Sequence, residues 1–238
     1  DNDPAERATE PWRMVFDRFI PEGAVFFLPE TIPNWKELDS PVPARFYSAH
    51  FCFTLGQFSI EVQHNPEYYF HGEEISIAAR AYTHGYDLFH PHYTVVWHEY
   101  TREGRTKHWT DFYNETKDAG LVEKAWWDMD NDSKRRLRHM LQEEDNDIDL
   151  GEYGLGTFRS HWSYQLYAGI HFRLKKLHPD AIKGIDPPTT SENEGMDWAY
   201  EVKRDQTLNL DWKNDWNALS SQTRCTCTFD FIYLGIES

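Results

Sequence analysis

One stretch, residues 70–102, constrains the fold of this chain more than any other part. It opens with Gly72, Glu73 and Glu74, and glycine lets the backbone turn sharply before a helix. Two carboxylates in a first helical turn are favoured by the helix dipole. The pattern therefore predicts that a helix begins at this acid pair.

The residues after the acid pair predict how far this helix extends. One apolar helix face is formed by Ile75, Ala78, Ala79 and Tyr82, which recur at helical spacing. Gly85 stands where a left-handed residue is expected to end the helix. We therefore expect an amphipathic helix with the acids at its first turn and a glycine just past its last.

The segment that follows the helix, residues 87–100, is rich in β-branched and aromatic side chains. Such a composition predicts a strand, and Pro91 is expected to interrupt it. His98 lies near the end of this segment. We therefore expect the acid pair and His98 to meet in one cleft.

Other patterns predict the remaining elements with less detail. Residues 103–121 are polar with embedded aromatics and predict a surface loop. Six further elements are expected: strands at 14–19 and 24–28, a core strand at 45–54, one or two helical turns at 56–62, a basic helix capped by Asp132 and Ser133, and a helix capped by Thr157 that ends at Ala168 before Gly169.

Composition excludes some classes of protein. A net charge of -16 argues against nucleic acid as a partner, because phosphate contacts need clustered lysine and arginine. A diphosphate ligand is compatible with this charge when a divalent cation neutralises it. Three cysteines without CxxC pairs predict a reducing, cytoplasmic setting, and no apolar run reaches the roughly 20 residues of a membrane span.

The acid pair and the histidines each allow two interpretations. Glu73 and Glu74 can act in acid–base chemistry or bind sugar hydroxyls, or they can only stabilise the helix start. His98 can bind a metal or can be a packed, hydrogen-bonded side chain. His90 and His92 share one face of the predicted strand, but the proline between them distorts a chelating geometry.

Three runs of sequence carry a resemblance to a known family. They are PARFYSAHFCFTLGQF at 43–58, FHGEEISIAARAYTHGYDLFHP at 70–91 and VVWHEYTR at 95–102. Together they closely resemble the glycosyltransferases typified by the cytoplasmic hydroxyproline N-acetylglucosaminyltransferases, over roughly Trp12 to Phe172.

The resemblance implies a function and a set of site residues. It implies transfer of N-acetylglucosamine from UDP-N-acetylglucosamine (UDP-GlcNAc) to a hydroxyl acceptor on a protein or glycan, with Mn²⁺ or Mg²⁺ holding the diphosphate and with retained anomeric configuration. The implied roles are catalytic for Glu74, the preferred carboxylate, and for Glu73; substrate-binding for Gly72, for His50 beside the donor sugar and for Trp109 as an acceptor platform; and metal-binding for His98.

The resemblance also implies the fold class and the domain organisation. The expected fold is α/β: residues 1–182 form the acceptor-side half of a GT-A-like domain, 183–196 a linker and 197–238 a small β module that docks on the first domain or continues past Ser238. The N-terminal nucleotide-binding half of the family, with its Asp-containing metal motif, is expected to precede Asp1. Either the chain is a fragment, or that half is supplied elsewhere.

Two other functions remain open from the residues alone. The first is a non-catalytic carbohydrate-binding protein, in which exposed aromatic rings stack on glycan and the acids hold Ca²⁺. The second is a metalloenzyme of unrelated fold that uses His98, His108 and Asp111.

Overall fold

The computed structural model describes residues 7–20, 24–98, 112–143 and 147–187. These parts of the chain contain six α-helices and three antiparallel sheets of two strands each. The helices are α1 (Phe58–Glu61), α2 (Glu73–Thr83), α3 (Asn114–Asp118), α4 (Trp126–Met140), α5 (His161–Ala168) and α6 (Pro179–Ile182), with short 3₁₀ turns at Trp35–Glu37 and Gly151–Tyr153.

The longest sheet is the hairpin predicted from the two apolar runs near the N-terminus. Strand β1 (Trp12–Phe19) pairs with β2 (Val25–Thr31), and the register shifts between Phe16 and Arg18. The two other sheets are short pairs that close loops rather than form layers. They are β3 (Val42–Pro43) with β4 (Phe89–His90), and β5 (Ile170–His171) with β6 (Lys176–Leu177).

Helix α2 lies in the centre of the hydrophobic core and confirms the helix predicted from the acid pair. Every residue from Ile75 to Thr83 is buried, so the helix is enclosed on all sides after its first turn. The predicted amphipathic character is therefore wrong, because the polar Ser76, Arg80 and Thr83 are enclosed together with the apolar face. Its Tyr82 ring packs against Tyr164 and Tyr167 of α5, at centroid distances of 5.5 and 4.8 Å. Gly85 follows the helix with φ of 100°, as expected for a glycine that ends a helix.

Buried Arg80 fastens α2 to the surrounding loops. Its guanidinium donates hydrogen bonds to the backbone carbonyls of Gln63, Glu152 and Gly154. A buried cation needs such acceptors to offset the loss of hydration. The centre of α2 is therefore fixed by both apolar packing and polar contacts, which gives its first turn a rigid base.

The core strand predicted at 45–54 is wrong. Only Val42 and Pro43 are paired as a strand, and the chain then continues as loop and turn to residue 54. The backbone carbonyls of Ala44 and Arg45 accept hydrogen bonds from the hydroxyls of Tyr167 and Tyr164, so side chains of α5 take the place of a neighbouring strand.

The strand predicted over 87–100 is confirmed only at Phe89 and His90. Residues 91–98 carry no ladder, and side chains hold them to the chain near its start. The Thr94 hydroxyl donates to the carbonyl of Thr9, and the Trp97 ring nitrogen donates to that of Ala8. This segment is irregular and is not part of a sheet.

Two predicted helix starts are also wrong. Helix α4 begins at Trp126, so Asp132 and Ser133 lie inside it, and the Ser133 hydroxyl lies 2.8 Å from the Met129 carbonyl one turn earlier. Helix α5 is capped by Ser160, whose hydroxyl accepts the Ser163 N–H, and not by Thr157. Its predicted end at Ala168 is confirmed, with Gly169 left-handed at φ of 68°.

The predicted loop at 103–121 and the predicted C-terminal organisation fall largely outside the described residues. Of the loop, residues 112–121 are described and contain α3. Of the predicted linker, residues 183–187 are described, and the Ile185 carbonyl accepts hydrogen bonds from Arg45. The GT-A-like class and the domain boundaries stay predictions. None of the helices in the described ranges is both long and apolar enough to cross a membrane.

Candidate active site

The backbone conformation of Gly72, the residue before the acid pair, places the pair at the start of α2. Gly72 is the N-cap and has φ of 102°, a conformation that glycine adopts readily. A Cβ at this position would lie 2.7 Å from Cδ2 of Leu137, so α4 packs directly on the glycine. Gly72 therefore lets α4 approach closely and turns the chain so that Glu73 and Glu74 occupy the first helical turn.

Glu74 joins this helix start to the loop of residues 47–52. Its Oε1 accepts a hydrogen bond from the backbone N–H of Ala49 at 2.8 Å. Inside the loop, the Ser48 hydroxyl lies 2.7 Å from Nδ1 of His50 and orients that ring. The carboxylate thus fixes a loop that is far away in sequence, and the residue next to its partner is the predicted His50.

The same loop reaches the segment that ends in His98. The rings of His50 and His98 meet edge to face, with centroids 5.1 Å apart. Both histidine residues are exposed. Glu74, the 47–52 loop and His98 therefore form a continuous set of contacts, and the single cleft expected from the sequence stays a prediction.

Glu73 has an unusual electrostatic environment. Burial is the main cause that raises its pKa from 4.5 to about 7, and the charge of Glu74 adds to the effect, while a hydrogen bond to its own backbone opposes it. A carboxyl group with a pKa near 7 exchanges protons readily at neutral pH. The two neighbouring acids therefore differ: Glu74 holds the loop, and Glu73 is poised to gain or lose a proton.

Tyr47 and Cys52 belong to this site although the sequence analysis did not identify them. Burial raises the pKa of the Tyr47 phenol, and the hydrogen-bonded Cys52 and the charges of Glu74 and Glu73 raise it further. The Tyr47 ring packs against both hydrophobic clusters around α2. Cys52 is an exposed residue, but burial of its thiol raises the thiol pKa. The hydrogen bond between this thiol and Tyr47 acts in the opposite direction and lowers the pKa. Tyr47 is thus a neutral hydroxyl facing the acid pair.

The predicted site residues can now be placed. Gly72, Glu73, Glu74, His50 and His98 lie in the contact network at the start of α2. Trp109, predicted as an acceptor platform, lies outside the described residues, as do His108 and Asp111 of the alternative metalloenzyme. Their roles stay predictions.

The remaining histidines of the predicted strand are not organised as a metal site. Nε2 of the buried His90 accepts the N–H of Met14 at 3.2 Å, and burial lowers the pKa of His90 to about 4. A chelate with His92 would have to compete with this hydrogen bond. Across the described ranges, no group of three or more histidine, cysteine, aspartate or glutamate side chains is placed to hold a metal ion.

Comparison with known families identifies the class of protein. A glycosyltransferase family model matches residues 1–174, which is 174 of the 238 residues. The chain belongs to this family, described as Glycosyltransferase (GlcNAc). Comparison with curated proteins and with solved structures finds no significant match. Membership of a glycosyltransferase family supports a transferase that uses a nucleotide-sugar donor and an acceptor.

Proposed function

We propose that this protein transfers N-acetylglucosamine from UDP-GlcNAc to a hydroxyl acceptor on a protein or glycan. One contact network supports this proposal: Glu74 accepts a hydrogen bond from Ala49, and the neighbouring His50 meets the ring of His98. All of these residues lie in the part of the chain that the family model covers. Carboxylates bind hydroxyl groups and hard divalent cations, and imidazoles bind transition-metal ions. In this proposal the described residues are the acceptor-side half of a GT-A-like domain in a cytoplasmic enzyme.

The two carboxylates take different parts in the proposed reaction. Glu73, whose pKa of about 7 matches neutral pH, accepts the proton of the acceptor hydroxyl. The acceptor oxygen bonds to the anomeric carbon of the sugar as the bond from that carbon to the diphosphate breaks and UDP leaves. Glu74 keeps the 47–52 loop in place through Ala49 and adds negative charge beside the reacting carbon. Both are catalytic residues in this proposal, as predicted from the sequence.

His98, the predicted metal ligand, would hold a divalent cation. His50, predicted to lie beside the donor sugar, would be a second ligand because its ring meets that of His98. Two imidazoles are fewer ligands than a dedicated protein metal site needs, but a cation on a nucleotide diphosphate takes its other ligands from phosphate oxygens and water. The exposed position of both histidine residues suits such a shared cation. When bound, Mn²⁺ or Mg²⁺ would neutralise charge on the departing diphosphate.

Calorimetric titration with UDP tests this proposal on the full-length protein. UDP is expected to bind in the presence of Mn²⁺, and binding is expected to weaken at least about tenfold when EDTA removes the metal. His98→Ala is expected to reproduce the loss in the presence of Mn²⁺. His139→Ala, in the last turn of α4, is the matched control and should bind UDP like the wild type.

The same titration separates the proposal from its alternatives. Binding of a glycan without binding of UDP would contradict the transferase and support a carbohydrate-binding protein. Phe51, on the 47–52 loop, and Phe53, just after it, are exposed, which makes this the relevant comparison. Zinc or iron retained through purification would instead support the metalloenzyme.

A further inference from the structure

Phe70, three residues before Glu73, combines two unfavourable features. Its backbone has φ of 65°, a left-handed conformation that costs a bulky side chain roughly 1–2 kcal/mol. Phe70 as a residue is 45% exposed, so burial offsets this strain only in part. A strained conformation that persists at an exposed aromatic residue points to a role for that residue.

Contacts on both sides of Phe70 hold it in this conformation. The N–H of Tyr69 donates to the Ser133 hydroxyl of α4 at 2.5 Å. On the other side, Gly72 packs on Leu137, one helical turn further along α4. The turn that carries Phe70 is therefore fixed to one helix at two points, and its shape is built into the packing.

A row of rings extends from Phe70 through His71 to Phe26. The Phe70 ring meets the His71 ring edge to face at 4.5 Å, and the His71 ring lies 6.3 Å from that of Phe26. The Arg18 guanidinium covers Phe26, 4.3 Å from its centroid.

We propose that Phe70 is a substrate-binding residue, whose ring stacks on the pyranose ring of the sugar being transferred. A pyranose has an apolar C–H face and a rim of hydroxyls, and it therefore fits an aromatic surface bordered by polar groups. In this proposal the polar border is His71, whose ring meets that of Phe70, together with Glu73 and Glu74, three and four residues further along the chain. This inference rests on the proposed function.

The position of Phe70 favours the transferred sugar over the acceptor. Three peptide steps keep its Cα within about 11 Å of the Cα of Glu73, so Phe70 belongs to the turn that leads directly into the acid pair. The transferred sugar must occupy the place where its bond breaks and re-forms. It also carries several hydroxyls, which can form hydrogen bonds with all three polar side chains of the border. A single acceptor hydroxyl needs only one such side chain.

The test compares UDP and UDP-GlcNAc in calorimetric titrations of the full-length protein with Mn²⁺, since the difference between the two ligands isolates the sugar. Phe70→Gly removes the ring, and glycine adopts the same φ without strain, so the variant is expected to fold and to melt no lower than the wild type. It should bind UDP unchanged and UDP-GlcNAc about tenfold more weakly. Phe70→Trp should bind both ligands like the wild type.

Phe158→Ala is the matched control. Phe158 is 42% exposed, a fraction similar to that of Phe70. Its ring packs on Gly85 at the opposite end of α2, so the change should leave both affinities unaltered. Equal UDP-GlcNAc affinity in wild type and Phe70→Gly would overturn the inference alone. Loss of affinity for acceptor without loss for UDP-GlcNAc would also overturn it. A wild-type protein that binds neither nucleotide would overturn the proposed function as well.

Discussion

At the scale of single residues, Glu73 makes a specific prediction about stability and pH. Its pKa is raised from 4.5 to about 7 in the folded protein, so the folded state binds more protons than the unfolded state between these values. Stability from this group is complete below pH 4.5 and is lost as pH rises to about 7. Glu73→Gln should therefore be more stable than wild type by about 1–3 kcal/mol at pH 8, but not at pH 4.

Thermal unfolding from pH 4 to pH 8 checks this prediction. Glu123→Gln is the control, because Glu123 is exposed and its neutralisation should not reproduce the trend. If the difference in melting temperature between Glu73→Gln and wild type is the same at every pH in this range, the pKa of Glu73 is not raised. Its role in proton transfer would then lose its support.

The hydroxyl of Tyr47 gives a second prediction at the same scale. Tyr47→Phe keeps the ring in both hydrophobic clusters and removes only the hydrogen bond to Cys52 and the dipole facing the acids. We expect stability to fall by about 1 kcal/mol and kcat/KM for transfer to fall roughly three- to tenfold, with a shifted pH profile.

A second tyrosine provides a matched control for this change. The Tyr86 hydroxyl donates to Glu61, within α1 and away from the acid pair, so Tyr86→Phe should lower stability by a similar amount and leave kcat/KM unaltered. Equal kinetic effects in the two variants would mean that Tyr47 acts only through the fold.

At the scale of elements, the contact between α2 and α4 determines where the acid pair lies. Gly72→Ala places a Cβ 2.7 Å from Leu137 at a positive φ, and the combined strain should cost about 2–4 kcal/mol. Gly120→Ala is the control: Gly120 has φ of 72° but nothing within 4 Å, so only the backbone penalty of about 1 kcal/mol is expected.

Chemical denaturation of the two variants measures this difference. Adding Leu137→Ala to Gly72→Ala removes the clashing methyl groups, so the double variant should lose less stability than the two single changes combined. If both glycine variants unfold at the same denaturant concentration, the close approach of α4 is not what selects glycine at this position.

The elements also show which parts of the fold are encoded locally. Helix α2 was predicted because its apolar period, first-turn acids and Gly85 all lie within fourteen residues, and the hairpin was predicted from two apolar runs. The strand predicted at 45–54 failed because alternating aromatics also occur in loops: Phe46 is buried, but Phe51 and Phe53 are exposed. What replaced the strand, hydroxyls of α5 bound to its carbonyls, depends on residues about 120 positions away.

The candidate site also contains residues that a local sequence motif predicts and residues that only the folded chain brings together. Glu73, Glu74 and His98 stand out in short motifs, and the structure links Glu74 to His98 through Ala49 and His50. Tyr47 and Cys52 carry no local signal, because their importance comes from contacts across 25 or so residues that only the folded chain creates. The strain at Phe70 was equally invisible, since backbone angles at a single phenylalanine have no sequence signature.

At the scale of the whole molecule, the charge balance affects the proposed chemistry. The protein carries a net charge of -16, and a sugar nucleotide is also an anion, so long-range electrostatics oppose their encounter. A divalent cation reduces this repulsion locally. We therefore expect the affinity for UDP in EDTA to rise with ionic strength, whereas a basic nucleotide-binding surface would show the opposite dependence.

The central claim is that the start of α2 is the reaction centre, and turnover of Glu74→Gln tests it most directly. The glutamine keeps a carbonyl oxygen to accept the Ala49 N–H, so the loop and the melting temperature should be nearly unchanged while the charge is lost. With saturating Mn²⁺ and UDP-GlcNAc, the account predicts that UDP release falls by at least about a hundredfold. Wild-type release of UDP by a folded Glu74→Gln variant would contradict it.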